Sequence, residues 1–581
     1  MTRVVKRMNK KNTRQNKYQV NSNSQAPNPK QFRNPILNQV QDKFPNLYFG
    51  NWKLVFGICL LFGIWNLAFE SVAQPQIPLH VLSELSHGEA YLAASDVEQA
   101  ARVADELLNE GYRLAPVKYF AGKVRFYEGS YAESLHLLKD AVAAMEAFPG
   151  AIEFLEHVDK VYQTANKFQE KSSNHFTFRY IQEKDEILVD YALPVLEKAY
   201  EEIGKDLDCF PQSKIIVEIY PDVDSFCKAS TLTKEEIDTS GPVAICLFNR
   251  LMITTPRVLL HGYAWLDTLA HEYVHYVINK KTRSRTPIWL HEGIAKYEEV
   301  RWRMPEGEGL SSTSESLLAE AIENNYFITF EQMHPSLAKL KKHEDTVLAF
   351  AEVQSAIEYI LEKGGYNLLR KILEIITEGE SAENAVAQAL QIPFTQFEQE
   401  WQEYLRKRDL KKIPGIQAMP LHFKKGESEK SDVEDVSEIE AGDARKHAKL
   451  GDILRRENRS DAAIVEYEKA YQVAGLISPQ ILNKLALAYL LNTQYEKAEN
   501  ILITARRYYP DYPTTYVTLG ELYQRRKEYD KAIESLTLAS LINPYNPFVH
   551  QTLFNLCQNM GKKEEAASHL KRVTMLMSGK K

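Results

Sequence analysis

Residues 265–299 read WLDTLAHEYVHYVINKKTRSRTPIWLHEGIAKYEE, and their first half carries two histidines in a helical pattern. Leucine, alanine, tyrosine and valine recur there at helical spacing, so we expect a helix with one apolar face. His271 and His275 are four positions apart and therefore lie one above the other on that helix. Their imidazoles can bind one metal ion, and Glu272, turned by about 100° around the helix, can reach a water on that ion.

A third candidate ligand follows on a second predicted helix. Sixteen residues separate His275 from Glu292. Thr286 is a candidate N-cap and Pro287 suits a first helical turn, so Glu292 lies early on that helix. Two imidazoles and one carboxylate leave the fourth tetrahedral position for water, which is typical of a catalytic zinc site rather than a closed structural one. The sequence therefore predicts one Zn²⁺ per chain, held by His271, His275 and Glu292.

The motifs HEYVH and WLHEGIAKY together resemble the gluzincin zinc metallopeptidases, and most of all their minimal peptidase MA-like domains. The resemblance covers about residues 175–408 and is specific from Leu269 to Glu299. It implies an α+β zincin-like fold in which the same three side chains bind zinc and Glu272 is the general base. The chain lacks the glycine-x-methionine-glutamate-asparagine motif of the aminopeptidase N group, so the resemblance implies an endopeptidase.

Two positions depart from the family pattern. Thermolysin-like members have an acid four residues after the third ligand to hold the first histidine, whereas this chain has Lys296. The candidates for that supporting role here are Asp267, Glu298 and Glu299. No Tyr or His is assigned to stabilise the oxyanion. Related domains carry Tyr where this chain has Phe350, and the remaining candidates are Tyr359 and Tyr326.

The N-terminal 73 residues contain two segments of opposite character. Residues 1–50 have ten Lys or Arg against one acid, Asp42, and we expect a disordered basic tail. Residues 52–73 contain the apolar run LVFGICLLFGIWNLAF, which predicts a transmembrane signal anchor, although its sixteen residues are short of the roughly 20 that span a bilayer. The alternatives are a signal peptide cut after Ala73 and a buried core helix.

These alternatives decide the predicted localisation. An uncleaved anchor gives a single-pass protein of the cytoplasmic membrane, with its N-terminus in the cytoplasm and its later domains outside. Cleavage near Ala73 gives a secreted or periplasmic protein.

The five cysteines include no CxxC pair, so neither a disulfide framework nor a cysteine zinc site is indicated. One disulfide within the middle of the chain stays open, among Cys209, Cys227 and Cys246.

A repeat of 34 or 35 residues occupies residues 443–577. Four successive units place equivalent residues at Gly451, Ala486, Gly520 and Phe554. This strongly resembles a tetratricopeptide array, a family that offers a concave surface to a protein partner or peptide. Residues 80–168 are also helical in pattern and tetratricopeptide-like. Residues 413–443 form an acidic linker in the sequence pattern, so we expect the array to be mobile relative to the preceding domain.

Residues 174–412 place β-like runs before helical patterns, which indicates an α+β domain. The runs are His175 to Ile181, Lys214 to Tyr220, and Val243 to Phe248 paired with Leu251 to Thr254 through a turn at Asn249–Arg250.

The predicted fold class is thus multidomain: an α+β zincin-like peptidase domain flanked by all-α tetratricopeptide-type regions, with an N-terminal transmembrane segment. Together the features predict a membrane-attached extracytoplasmic zinc peptidase with a protein or peptide substrate, whose repeats recruit protein partners or substrate. One alternative is a catalytically weak or inactive scaffold that acts through its repeats, and another is an intracellular structural zinc protein. A net charge of -7 gives no bulk attraction for nucleic acid.

Overall fold

A computed structural model describes residues 77–578 of the chain, apart from 145–148, 182, 231, 235–236, 238–242, 335, 338–339, 341, 414–415, 417–422, 425–438 and 440. The predicted basic tail 1–50 and apolar segment 52–73 lie outside the described residues, as does most of the predicted linker 413–443. None of the helices in the described ranges combines the length and the apolar character needed to cross a bilayer.

In the described part of the chain, the first five helices are α1 to α5, spanning Leu79–Ala93, Val97–Asn109, Ala115–Tyr127, Tyr131–Ala144 and Pro149–Ala165. Helices α3 and α4 pack closely in this region, which the sequence pattern predicts to be helical and tetratricopeptide-like. A Cβ atom on Gly122 would lie 2.8 Å from Leu138 Cγ, and Ser134 Oγ donates a hydrogen bond to the Gly122 carbonyl at 2.7 Å. The missing side chain of Gly122 therefore allows these two helices to approach closely.

A five-stranded mixed sheet follows, with strands β1 (Gln169–Ser172), β2 (Phe176–Tyr180), β3 (Ile215–Tyr220), β4 (Ala244–Leu247) and β5 (Arg250–Thr254). The strand order is β1-β2-β3-β5-β4, with β2, β3 and β5 parallel and both outer strands antiparallel. The central strands are buried, as expected for parallel strands covered on both faces. Strand β1 was not predicted, because all four of its side chains are exposed and show no alternation. Strand β4 forms one edge of the sheet.

The described residues of this middle domain also form eight helices: α6 (Glu186–Leu207), α7 (Val223–Ser230), α8 (Trp265–Thr282), α9 (Ile288–Glu298), α10 (Ser312–Asn324), α11 (His343–Thr377), α12 (Ala382–Leu390) and α13 (Phe394–Lys407). One hydrophobic core joins the sheet to α6, α8, α9 and α11. Helix α8 packs across β4 and β5, and α11 packs against α8 and α9. Helix α11 is interrupted at Gly365, where φ is 62°.

The β4–β5 hairpin turns one residue earlier than predicted. Phe248 and Asn249 form the turn with φ values of 52° and 60°, whereas Arg250 begins β5. Both turn residues are left-handed, which matches the twist of two-residue hairpins. Arg250 is completely buried, with its guanidinium 4.7 Å from the ring centre of Phe126 on α3. Packing of this side chain against the N-terminal helices therefore determines the register.

The N-cap of α9 also differs from the prediction. The capping residue is Pro287, and Thr286 does not cap the helix. Instead, the Thr286 hydroxyl donates a hydrogen bond to Thr282 Oγ1 at 2.9 Å, so it holds the turn between α8 and α9.

The C-terminal region consists of eight helices: α14 (Gly442–Arg456), α15 (Ser460–Ala474), α16 (Pro479–Leu491), α17 (Tyr495–Tyr508), α18 (Pro513–Arg525), α19 (Tyr529–Ile542), α20 (Pro547–Asn559) and α21 (Lys563–Met577). They pair as successive hairpins. A Cβ atom on Gly451 would lie 2.6 Å from the ring of Tyr467, and one on Gly520 would lie 2.6 Å from Leu536 Cγ. The repeat positions that sequence spacing predicted are thus the ones at which the paired helices interlock. These eight helices are called the array below.

The array packs against the middle domain, so the expected mobility between the two is wrong. The Trp265 indole N–H donates a hydrogen bond to the Leu541 carbonyl at 2.8 Å. A Cβ atom on Gly262 would lie 2.7 Å from the Ile542 carbonyl oxygen, so the chains approach closely there. The Tyr545 hydroxyl donates to the buried carboxylate of Asp185 at 2.6 Å. The second half of the array is therefore anchored at the starts of α6 and α8.

The N-terminal helices are attached to the sheet through a buried carboxylate. Glu218 on β3 is completely buried and accepts hydrogen bonds from the Tyr131 and Tyr220 hydroxyls at 2.6 and 2.8 Å. Arg179 lies 3.3 Å from the same carboxylate. A buried charge without such partners costs several kcal/mol, so these contacts hold α4 in one position on the sheet.

The four described cysteines are free thiols: Cys209, Cys227, Cys246 and Cys557. The disulfide that the sequence left open among the first three is therefore not formed.

Candidate metal centre

The three predicted ligands converge from two helices. His271 and His275 lie on α8 and Glu292 lies on α9, and their donor atoms are all within 4.8 Å of one another. The Nε2 atoms of His271 and His275 lie 3.3 and 3.4 Å from the same oxygen of Glu292. Tetrahedral ligands at bond lengths of about 2.0–2.1 Å are about 3.3–3.4 Å apart. The three side chains, called the triad below, therefore fit a tetrahedral metal ion with one position left for water or substrate.

A sharp reversal brings α9 back against α8. Arg283 and Ser284 both adopt left-handed backbone conformations, with φ values of 53° and 56°. Such conformations are unfavourable for residues with a Cβ atom. The buried Ser284 hydroxyl forms a hydrogen bond of 2.6 Å with Ser95, which precedes α2, and Lys280 pairs with Glu98 at 2.7 Å. The N-terminal helices therefore support the turn that positions Glu292.

Gly293 sets the position of α9 relative to α11. A Cβ atom at this residue would lie 2.7 Å from the Val353 carbonyl oxygen and 2.9 Å from Ile357 Cγ1. Only glycine allows the two helix backbones to come this close without a shift. Because Glu292 is the preceding residue, the same contact fixes how far its carboxylate reaches toward α8.

Charge within the triad is balanced by a proton when no metal is bound. Burial raises the pKa of Glu292, but the imidazoles of His275 and His271 outweigh burial and hold that pKa well below its usual range. Burial lowers the pKa of His271, yet Glu292 and Glu299 together raise it to about 10. A metal ion binds deprotonated ligands, so it must displace this proton.

Glu272 faces the triad from the side of the sheet. Its side chain is buried, with 7% of its surface exposed. Burial raises its pKa above the usual range, while the two imidazoles and a hydrogen bond from the backbone N–H of Cys246 oppose that shift. A carboxylate whose pKa is raised toward neutrality is suited to accept and return a proton. The edge strand β4 thus contributes a backbone group beside the candidate base.

Glu299 is the supporting candidate that contacts a triad residue. Its Oε2 lies 2.9 Å from His271 Nδ1, opposite the nitrogen that faces Glu292. Its other oxygen is paired with the Lys296 ammonium group. Lys296 therefore replaces the expected acid, and the acid lies three positions further along the chain. A carboxylate in this place fixes the imidazole orientation and raises its basicity.

The other two supporting candidates have different partners. Asp267 accepts hydrogen bonds from the Trp302 indole at 2.9 Å and from Arg303 at 2.8 Å. Glu298 is completely buried and accepts a hydrogen bond from Tyr366 at 2.9 Å. Burial and the charge of Asp206 raise the pKa of Glu298 to about 8. Both residues hold α9 and its following turn and do not contact His271.

Of the three residues considered for stabilising the oxyanion, two have other partners and one lies beside the triad. The Tyr359 hydroxyl donates to Glu400 at 2.7 Å, and the Tyr326 hydroxyl lies 3.3 Å from Asp345, so both are engaged elsewhere. Phe350 is the candidate beside the triad, with its ring centre 6.5 Å from that of His271. An apolar ring thus occupies this position.

One further histidine packs on the triad. The ring of His291 stacks on His275 with centres 4.4 Å apart, and burial lowers its pKa well below the usual range. His291 is therefore neutral and contributes packing. Neither this contact nor the Cys246 amide at Glu272 has a signal in the sequence, because both depend on elements that meet only after folding.

Two family models match the chain. The model described as the Peptidase MA superfamily matches residues 197–407, and a tetratricopeptide repeat model matches residues 513–546. The chain therefore contains a Peptidase MA superfamily domain and tetratricopeptide repeats, as predicted. A comparison with curated proteins gives no match.

Solved structures similar to the chain include three proteins. MamA, whose crystal structure is known, is 22% identical to this chain. The match covers 26% of this chain and 86% of the MamA chain, with a TM-score of 0.23. YrrB, a TPR protein with an unusual peptide-binding site, is 19% identical, with coverage of 26% and 77% and a TM-score of 0.22. The Cut9–Hcn1 hetero-tetramer of the APC/C is 13% identical, with coverage of 85% and 79% and a TM-score of 0.24. Scores this low carry no functional conclusion.

Proposed function

We propose that this chain is a zinc metallopeptidase of the endopeptidase type. The observation that carries the proposal is the spacing of the triad, 3.3 and 3.4 Å from each imidazole nitrogen to one Glu292 oxygen. That spacing fits zinc with an open fourth position, and Glu272 is buried beside it. Two imidazoles and a carboxylate favour zinc over other divalent ions in this geometry.

The chain's own residues account for proton transfer. The triad would hold the zinc ion, which when bound would lower the pKa of a bound water to about 7 and polarise the scissile carbonyl. Glu272 would accept a proton from water and pass it to the leaving amine. Glu299 holds His271 through Nδ1, so that Nε2 faces the metal position.

Strand β4 offers a place for an extended peptide. It is an edge strand of the sheet, and its Cys246 backbone N–H already points to Glu272. A peptide lying along this edge would pass the base and the open metal position together. The substrate class proposed here is accordingly an extended protein segment.

The array is proposed to recruit the protein substrate or a protein partner. Repeats of this type present a concave surface to proteins and peptides. The anchoring contacts at Trp265 and Tyr545 place the second half of the array beside the middle domain, so a bound protein is held near the triad.

An inactive scaffold is the second candidate function. The position of Phe350 favours it, because an apolar ring cannot donate a hydrogen bond to an oxyanion. Glu272 weighs against it, because metal retention alone requires the triad and no base.

The test is zinc content and casein hydrolysis of the full-length protein and its variants. We expect about one zinc per chain, lost in His271→Ala and retained in Glu272→Gln, whose hydrolysis falls by at least about 100-fold. The controls are His334→Ala and Glu320→Gln, both exposed residues, which should match the unmutated protein. Absence of zinc would refute the metal site. Zinc without hydrolysis in the unmutated protein would support the scaffold.

We also propose that residues 52–73 attach the protein to the cytoplasmic membrane. The peptidase domain and the array would then lie outside the cytoplasm. Fractionation of cells should find the protein with the membrane and accessible to external protease after the outer permeability barrier is removed. A soluble protein that begins after Ala73 by N-terminal sequencing would instead establish the secreted or periplasmic form.

A further inference from the structure

Lys296 lies among several acidic groups, although it has no part in zinc binding or in the proton transfer proposed above. It lies on α9 one turn after Glu292, pairs with Glu299, and has 36% of its side-chain surface exposed. The acidic groups around its ammonium group include Glu299, Asp267 and Asp511, and the last of these belongs to the array. A lysine ammonium group carries three donors and can serve more than one acid.

The array reaches Lys296 through the loop between α17 and α18. Ser312 on α10 donates a hydrogen bond to the Arg507 carbonyl at 3.2 Å. Tyr512 is buried, and its ring centre lies 4.9 Å from that of His261, which precedes α8. Asp511 stands between these two anchors, so its place on the middle domain is fixed by contacts on both sides.

Charge interactions agree with this placement. Burial raises the pKa of Asp511 to about 6, and the charge of Lys296 opposes that shift. Burial lowers the pKa of Lys296, but Glu299, Asp511 and Asp267 outweigh it, so that pKa is raised. Asp267 also acts on Asp511 as a like charge, and Arg303 acts on it as an opposite charge. Asp511 is exposed and Lys296 is partly exposed, so both side chains retain access to solvent.

We propose that Lys296 is a positioning residue that couples the docked array to the metal ligand His271. Asp511 acts on Lys296 through its charge, Lys296 forms an ion pair with Glu299, and Glu299 is hydrogen-bonded to His271. Without the ammonium group, Glu299 would face Asp267 and Asp511 with less positive charge nearby, and repulsion would turn its carboxylate away from His271. A protein that displaces the loop of the array would thereby change metal affinity.

This inference rests on the proposed zinc site, and zinc affinity tests it directly. The measurement is chelator competition on the full-length protein, with kcat and KM for casein hydrolysis as a second readout. We expect Lys296→Met to weaken zinc binding about 10-fold and Asp511→Asn about 3-fold, with kcat reduced and KM unchanged. Lys296→Arg keeps the charge and should restore most of the affinity. The control is Asp530→Asn on α19, an 82% exposed acid whose partner is Lys562 of the array.

The double variant distinguishes coupling from independent effects. If Asp511 acts through Lys296, Lys296→Met with Asp511→Asn should bind zinc as Lys296→Met alone does. Wild-type affinity in both single variants, or additive losses in the double variant, would overturn the coupling while leaving the zinc site intact. A wild-type chain that binds no zinc would instead sink the proposed function. Asp511→Asn alters only a solvent-accessible side chain, so it decides the matter even if Lys296→Met unfolds the protein.

Discussion

Replacing Gly293 by alanine tests whether the approach of α9 to α11 positions the triad. The new Cβ atom would lie 2.7 Å from the Val353 carbonyl oxygen, about 0.8 Å closer than a favourable contact. Val353 and Ile357 are completely buried and the obstructing oxygen belongs to the helix backbone, so α11 cannot yield by a side-chain rotation. Helix α9 must therefore move away, and Glu292 must move with it.

The magnitude follows from two opposing terms. Overpacking in a core costs about 1–3 kcal/mol, and alanine recovers about 0.8–1.0 kcal/mol of helix propensity relative to glycine. We expect the net free energy of unfolding to fall by up to about 2 kcal/mol. Displacement of the Glu292 oxygen from its 3.3 and 3.4 Å separations should have a larger effect on zinc affinity, with a loss of at least about 10-fold.

Thermal unfolding without zinc and chelator competition with zinc measure these two effects separately. Gly309→Ala is the matched control, because a Cβ atom there meets no atom within 4 Å and the backbone φ is not positive. Its stability should stay within about 0.5 kcal/mol of the unmutated protein. If Gly293→Ala bound zinc like the control and unfolded at the same temperature, the contact between α9 and α11 would not be what places Glu292.

Two further predictions concern the array. Tyr545→Phe removes the donor to the buried carboxylate of Asp185, and we expect the free energy of unfolding to fall by about 1–3 kcal/mol in thermal unfolding. The control is Tyr529→Phe, at an exposed tyrosine of the array. Equal losses in the two variants would contradict the docking contact. His550 and His569 are buried together, and burial lowers the pKa of each to about 4 from an ordinary value of 6.5. As the pH falls from 6.5 to 4, the unfolded chain therefore binds protons before the folded chain does, which destabilises the array by up to about 3 kcal/mol per histidine. His569→Gln should flatten the pH dependence of the unfolding temperature. An unchanged slope would show that this histidine pair does not cause that pH dependence.

Local patterns gave the elements and the triad. Helical spacing places His271 and His275 on one face of α8 wherever that helix lies, and the 34- or 35-residue period identifies the interlocking positions Gly451 and Gly520. These features depend on residues a few positions apart or on a repeat, so the sequence alone contains them. The turn of the β4–β5 hairpin was misplaced by one residue because burial of Arg250 depends on α3, which is distant in the chain.

The choice among equivalent candidates required the tertiary structure. Asp267, Glu298 and Glu299 all lie near the triad in sequence, and only the path of α9 against α8 and α11 brings Glu299 to His271. The Cys246 amide reaches Glu272 because β4 is an edge strand beside α8. The docking of the array could not be predicted from the sequence for the same reason. Its contacts join residues hundreds of positions apart, and local sequence patterns do not show which distant residues meet after folding.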